Sequence, residues 1–382
     1  MQAAANTGNQ WVALTLRIDG ARFADAGDAT AAWHAVFASP DLLAAVAPLD
    51  CALYLPTPDI LTAPLLDLMP ANRVMFAIDA DALADHGAIA RIAALHEAGY
   101  RILIDGTAPA GVVLPPTFGA VSLDCAERMP APGTLATMFA PHLARGVDSA
   151  AQREQCARAG FSWFSGSYPI HPPPSETPDD GSSRKRLLSL LGLLAADADT
   201  RALETQLKQD PALSYHLLKL VNSAAFALST PITSFAQAIG LLGRRQLQRW
   251  LQLLLYARQR DDGLANPLLP VAALRAAQME SLCKQRGGDR DAQDLAFVVG
   301  VFSLLDVLLG ISMEEIVGAL NLAPATATAL TERSGALGRL LRLVETTAPS
   351  EDDLREADVA PLHWWRSQLH AHHWAIQVSR NL

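Results

Sequence analysis

Cysteine is scarce in this chain: Cys51, Cys125, Cys156 and Cys283 are the only four in 382 residues. They are widely spaced and no CxxC pair occurs. That excludes a zinc knuckle or a thioredoxin-type motif and points to a reducing compartment. Aromatic residues make up 6% of the chain, while Leu and Ala dominate, which favours helix. Positive charge is in deficit, with a net charge of −9. An acidic balance disfavours broad electrostatic binding to nucleic acid or to anionic lipid. The most apolar run, LAFVVGVFSLLDVLLGI (295–311), is broken by Asp306 and is short for a membrane span, so it reads as a buried helix. The opening MQAAANTGNQ lacks a basic region and an apolar stretch, so no signal peptide is expected and the expected location is the cytoplasm. There is no internal repeat and no coiled-coil heptad.

What is present divides the chain. The length suits about two domains of ~150 residues. Residues 168–186, YPIHPPPSETPDDGSSRKR, combine three consecutive prolines with a polar run and read as a linker or domain edge. Before it, short apolar runs predict strands at Trp11–Ile18, Cys51–Leu55, Arg73–Ile78, Arg101–Asp105, Ala120–Asp124, within Met138–Val147 and at Phe161–Phe164. Helical stretches alternate with several of them, the cleanest being 85–100. Alternating strand and helix argues for a parallel sheet with helices on its faces. About seven strands in roughly 165 residues is short for a (β/α)8 barrel, which usually needs ~200 or more, so a shortened or distorted (β/α)8 barrel is expected. The stretch RILIDGTAPAG (101–111) ends its strand on Asp105-Gly106, and strand C-terminal ends are where α/β folds place their sites.

After residue 186 the pattern is helical. DPALSYHLLKLVNSAAF (210–226) starts with Asp210 as N-cap and Pro211 at the first helical position. TSFAQAIGLLG (233–243) stops on Gly243. Further helices are expected at 245–260, 268–287, 291–310, 313–321, 324–331, 334–346, 351–357 and 361–378. The candidates for chemistry in this half read as structural. His216 lies within an apolar helix, and Asp306 reads as a capped or paired interior acid. Asn222 and Ser223 satisfy backbone groups at a helix end or mark a partner cleft. Arg244, Arg245 and Arg249 form a solvated basic edge rather than a DNA-reading helix. His363, His370, His372 and His373 sit among tryptophans in a terminal amphipathic helix, and no third metal ligand accompanies the His370/His373 pair.

The segment DPALSYHLLKLVNSAAF followed by PITSFAQAIGLLG, with landmarks Asp210, Pro211, Asn222, Ser223 and Gly243, resembles the HDOD domain. That family is related in fold to HD phosphohydrolases but lacks their metal ligands, and this chain contains no His-Asp dipeptide. The text from FVVGVFSLLDVLLG onward resembles the C-terminal extension of bacterial proteins that join an EAL domain to an HDOD domain. The first half resembles, more weakly and collinearly, an EAL domain: a (β/α)8 barrel that hydrolyses cyclic di-GMP with two divalent cations. VALTLR, ALYLPT, VMFAIDA, GYRILIDG, AVSLD and the ending ARGVDSAAQREQCARAGFSWFSGSYPIHPPP carry this resemblance.

The resemblance implies an α/β plus all-α protein: a degenerate EAL-like domain over 1–170, a Pro-rich linker over 171–186, and an HDOD domain with helical extension over 187–382. It places the family's ligand positions at Val12, Leu55, Ala77, Asp105, Gly106, Ser122, Asp148 and Ser165, of which Asp105 alone is unchanged. Cations of the Mg2+ type need several hard oxygen ligands. The chain is therefore expected to be no enzyme and to need no cofactor. The expected role is a regulatory scaffold of bacterial cyclic di-GMP-linked signal transduction, acting on other signalling proteins. The alternatives are a cyclic di-GMP receptor that binds without hydrolysis and a residual phosphodiesterase. Arg17 matches the arginine after the name-giving motif, while Arg73, Arg101 and Arg145 have no assigned role. No membrane partner is expected, nucleic acid is disfavoured, and homo-oligomerisation is left open.

Overall fold

A computed structural model describes residues 1–18, 25–39, 41–112, 120–135, 141–172, 243–256, 264–320 and 322–381, with isolated positions between 189 and 237. The chain forms two compact units, Met1–Pro173 and Pro174–Leu382.

The first unit is a closed eight-stranded barrel in sequential strand order. Its strands are β1 (Gln2–Asn6), β2 (Trp11–Arg17), β3 (Asp50–Leu55), β4 (Val74–Asp79), β5 (Arg101–Asp105), β6 (Val121–Asp124), β7 (Leu143–Arg145) and β8 (Trp163–Phe164). β2 to β8 run parallel, and β1 joins β2 and β8 antiparallel. Seven of these strands follow the apolar runs expected from the sequence. The eighth, β1, is QAAAN, an alanine-rich stretch with no strand propensity of its own. It is held by its ladder partners: Ala3 lies opposite Leu14, and Ala5 opposite Phe164. The barrel therefore closes, where a shortened or distorted one was expected.

Alternation along the strands sorts the side chains. Ala4, Ala13, Ala52, Tyr54, Met75, Ala77, Leu103 and Leu143 form one buried cluster, joined by Ala120 and Trp163. Alanines and larger side chains share the lumen, so the interior is filled rather than open. Outside the barrel lie α1 (Ala26–Phe37), α2 (Asp41–Ala45), α3 (Ala63–Leu66), α4 (His86–Glu97) and α5 (Ala150–Ala159). Asp25, Asp85 and Ser149 cap α1, α4 and α5 by accepting backbone N–H groups.

In the second unit the described helices are α6 (Arg244–Leu254), α7 (Leu268–Gln285), α8 (Arg290–Phe302), α9 (Leu305–Leu309), α10 (Met313–Leu320), α11 (Pro324–Thr331), α12 (Gly335–Glu345), α13 (Glu351–Glu356) and α14 (Pro361–Asn381). The expected helix 291–310 is broken in two at Ser303-Leu304. Ser303 turns its Oγ back to the Gly300 carbonyl at 2.8 Å, and Leu304 leaves helical geometry. Among the described residues, Arg290–Leu309 is the one stretch long and apolar enough to cross a membrane, and more than half of it is buried against the rest of the protein.

α7 is the central helix, packed along α8 and α14. Gly300 of α8 sits directly on it: a Cβ there would stand 2.6 Å from Ala276 Cα and 2.7 Å from Ala276 N. Beside this contact lies a buried polar network. Arg275 donates to Ser303 Oγ at 3.0 Å and to Glu345 Oε1 at 3.1 Å. Arg333 grips the same carboxylate with two N–H groups at 3.0 Å. Tyr256, fully buried, donates to the Val301 carbonyl at 2.6 Å.

Candidate functional site

Five barrel strands end on a charged residue: Arg17 on β2, Asp79 on β4, Asp105 on β5, Asp124 on β6 and Arg145 on β7. The inward register brings four of these together. Arg17 Nη2 donates to Asp105 Oδ2 at 2.9 Å. Arg145 Nη2 donates to Asp105 Oδ1, also at 2.9 Å. Arg145 reaches further, with Nη1 to Asp124 at 3.3 Å and Nε to Ser122 Oγ at 3.1 Å. Both guanidinium groups lie over the ring of Tyr54, at 4.6 Å for Arg17 and 5.3 Å for Arg145. The Tyr54 hydroxyl shares a 2.8 Å hydrogen bond with Ser122 Oγ. Burial pushes the Tyr54 phenol up to about 12, so it stays neutral.

The expected ligand positions are only partly gathered here. Asp105 and Ser122 lie in the cluster, and Ala77 is one of the buried lumen residues. Val12 and Leu55 alternate with the lumen residues Ala13 and Tyr54, so they belong to the opposite face of their strands. Gly106 adopts φ +108°, a left-handed conformation that glycine alone takes without strain. Asp148 lies just before α5 and accepts from the Ser167 hydroxyl at 2.8 Å. Ser165 is buried and its Oγ has no hydrogen-bond partner. Sequence reasoning left Arg145 without a role; its one signal is strand parity, since it follows Leu143 by two on β7. Arg73 and Arg101 sit at the other end of the barrel. Arg73 donates to the Leu43 and Leu49 carbonyls, and Arg101 pairs with Asp50.

Two divalent cations do not fit this mouth. Each oxygen of Asp105 is taken by an arginine, and the facing lumen positions are Ala13, Tyr54 and Ala77. Among the described residues no three His, Cys, Asp or Glu side chains converge to hold a metal. The arrangement instead offers N–H donors on an aromatic floor, a geometry suited to a phosphate oxygen.

In the helical unit, Asp210, Pro211, His216, Asn222 and Ser223 lie outside the described residues. Gly243 is exposed, with φ +71°, and starts α6. Arg245 and Arg249 are not a bare basic edge. Both bond Asp294, and Arg249 also bonds Glu280 at 2.5 Å while lying over Phe297. Asp306 Oδ1 is buried without a hydrogen-bond partner, and the carboxylate acts electrostatically on buried Arg275. In α14, His372 is buried and bonds the Gln368 carbonyl, and Trp374 packs on Trp250 at 5.0 Å.

The chain is 31% identical over 207 residues to Cyclic di-GMP phosphodiesterase CdgJ of Vibrio cholerae, covering 53% of this chain and 47% of that one. It is 28% identical over 206 residues to the uncharacterized protein YuxH of Bacillus subtilis, covering 53% of this chain and 50% of that one. The chain thus spans about half the length of the curated relatives it matches. The first of these names overturns the expectation that the chain is no enzyme, since that relative is named for a hydrolytic activity. Among solved structures, an HDOD domain protein of unknown function from Geobacter sulfurreducens aligns at a TM-score of 0.33 and 15% identity, covering 52% of this chain and 84% of that one. The HDOD domain family matches residues 185–263, leaving the barrel outside the match. Residues 185–263 of this chain are an HDOD domain.

Proposed function

We propose that this chain is a regulatory protein of cyclic di-GMP-linked signalling in which an EAL-like barrel takes up the nucleotide and the HDOD half engages other signalling proteins. The observation that carries the reading is the barrel mouth. Arg17 and Arg145 converge on one tyrosine ring, with Ser122 beside them and Asp105 between them. A cyclic dinucleotide brings two phosphodiester anions and two purine faces. Guanidinium groups bind the first by charge-assisted hydrogen bonds and stack on the second. The phosphodiesterase name of the Vibrio cholerae relative supports the choice of nucleotide.

Titration calorimetry of the full chain with cyclic di-GMP tests the reading. Binding at about 10 μM or tighter is expected, since useful sensing needs roughly 7 kcal/mol. Arg17→Ala and Arg145→Ala each weaken it tenfold or more. No heat from the wild type at far higher nucleotide concentrations refutes the reading. Chromatography of the same mixtures separates intact nucleotide from linear product and so distinguishes capture from turnover. For the helical half, affinity purification from the native host with and without nucleotide is the test. Failure to recover a stable protein partner in either condition refutes the scaffold role.

A further inference from the structure

We propose that Asp105 is a built-in counter-anion that holds down the affinity of the Arg17–Arg145 pair for phosphodiester and phosphate ligands. The proposal rests on the anion-site reading of the barrel mouth and adds what sets its strength. Asp105 gives one oxygen to each arginine, both at 2.9 Å, and its side chain is 12% exposed. Arg17 is 55% exposed and Arg145 19%, so the acid lies beneath and Arg17 faces outward. Arg17 commits Nη2 to Asp105, whereas Arg145 divides its three nitrogens among Asp105, Asp124 and Ser122. A guanidinium has five N–H donors, so hydrogen bonds are not what limits an incoming anion.

Charge is the limit. Two arginines face two carboxylates, Asp105 and Asp124, and the four cancel. Asp79, level with Asp105 on the neighbouring strand, adds a further acid at the rim, with one oxygen accepting the Asp81 N–H. An anion entering this mouth meets donors with no net positive field. Replacing Asp105 by asparagine turns the quartet from neutral to singly positive, keeps the size of the side chain and leaves one oxygen to accept from an arginine.

The test is titration of the wild type, Asp105→Asn and Asp124→Asn with inorganic phosphate and, separately, with cyclic di-GMP. Asp105→Asn is expected to bind phosphate about tenfold tighter or more, the scale of one unit charge a few Å away near a protein surface. Its affinity falls more steeply with added salt. Asp124→Asn, at a more exposed carboxylate with a longer contact, gains less but in the same direction. An Asp105→Asn affinity for phosphate equal to or below the wild type overturns the proposal. Should that variant not fold, an unchanged phosphate affinity in Asp124→Asn overturns it instead. Phosphate binding that tightens in the variants, with no wild-type response to cyclic di-GMP, refutes the nucleotide reading and leaves the counter-anion role standing.

Discussion

Gly300→Ala separates backbone packing from helix propensity. Gly300 lies within α8, and in an ordinary helix interior Gly→Ala stabilises by about 1 kcal/mol. Here the new methyl would stand 2.6 to 2.8 Å from Ala276 Cα, Ala276 N and Arg275 C. Carbon atoms prefer about 3.5–4.0 Å, so the gap is short by roughly 1 Å. All three neighbours are backbone atoms of α7 and cannot rotate aside. Relief comes from moving α8 off α7, which loosens the packing of buried Phe297, Val301 and Phe302. Overpacking of this kind costs about 1–3 kcal/mol, and the rigid obstacle puts it at the upper end. The net is a loss of about 2 kcal/mol, or roughly 4–8 °C in Tm for a unit of this size. Urea unfolding followed by the far-ultraviolet helix signal measures it. Gly318→Ala is the paired control: Gly318 sits in α10, and a Cβ there meets nothing within 4 Å. That variant is expected to gain stability, by up to about 1 kcal/mol. If both substitutions shift stability the same way, the argument from close approach fails.

Glu345→Gln leaves the buried Arg275 and its neighbour Arg333 without their shared carboxylate, so a loss of about 3 kcal/mol is expected in denaturant unfolding. Arg275→Met removes the more buried charge while Arg333 still satisfies Glu345, so it costs less; the reverse order of the two variants refutes this account. In alkali, the folded barrel keeps Tyr54 protonated to about 12 against 10 for a free tyrosine. Between those values the unfolded chain binds fewer protons than the native one, so stability falls as pH rises. The Tyr54→Phe variant should show a shallower decline over that window, read by Tm against pH. Removing residues 1–6 takes away β1, and a drop in soluble yield with loss of the barrel's cooperative melt is expected; an unchanged melt shows that β1 is dispensable.

Strand and helix positions were legible wherever burial followed a simple period. RILID and VMFAID read as strands because apolar branched residues cluster between polar turns, and α7, α10 and α11 read as helices from Leu and Ala spacing. QAAAN did not read as a strand, because alanine carries no strand signal and one of its two ladder partners, the strand of Phe164, lies far away in sequence. The break at Ser303 was hidden for a similar reason: the serine is accommodated there by Arg275, on another helix. At the site, aligning motifs pointed to Val12 and Leu55, whereas pleat parity makes Ala13 and Tyr54 the lumen positions. Asp105 was visible as an isolated acid at a strand end. Its partners were not, since Arg17 and Arg145 come from strands 88 and 40 residues away in sequence.

The antiparallel β1 has a consequence for synthesis. The ribosome releases it before the other seven barrel strands, yet one of its two edges has no partner until Trp163 and Phe164 emerge. Six parallel strands must be made in between, each pairing with the one before it. At about 5–20 residues per second, the nascent chain spends roughly 8–30 seconds as an open sheet with two bare edges. Closure then joins Ala5 to Phe164 across nearly the whole unit, a long-range contact of the kind that makes folding slow. Until that moment the growing barrel is exposed to edge-to-edge pairing, and its alanine-rich first strand, weak in strand propensity, is a poor template for it.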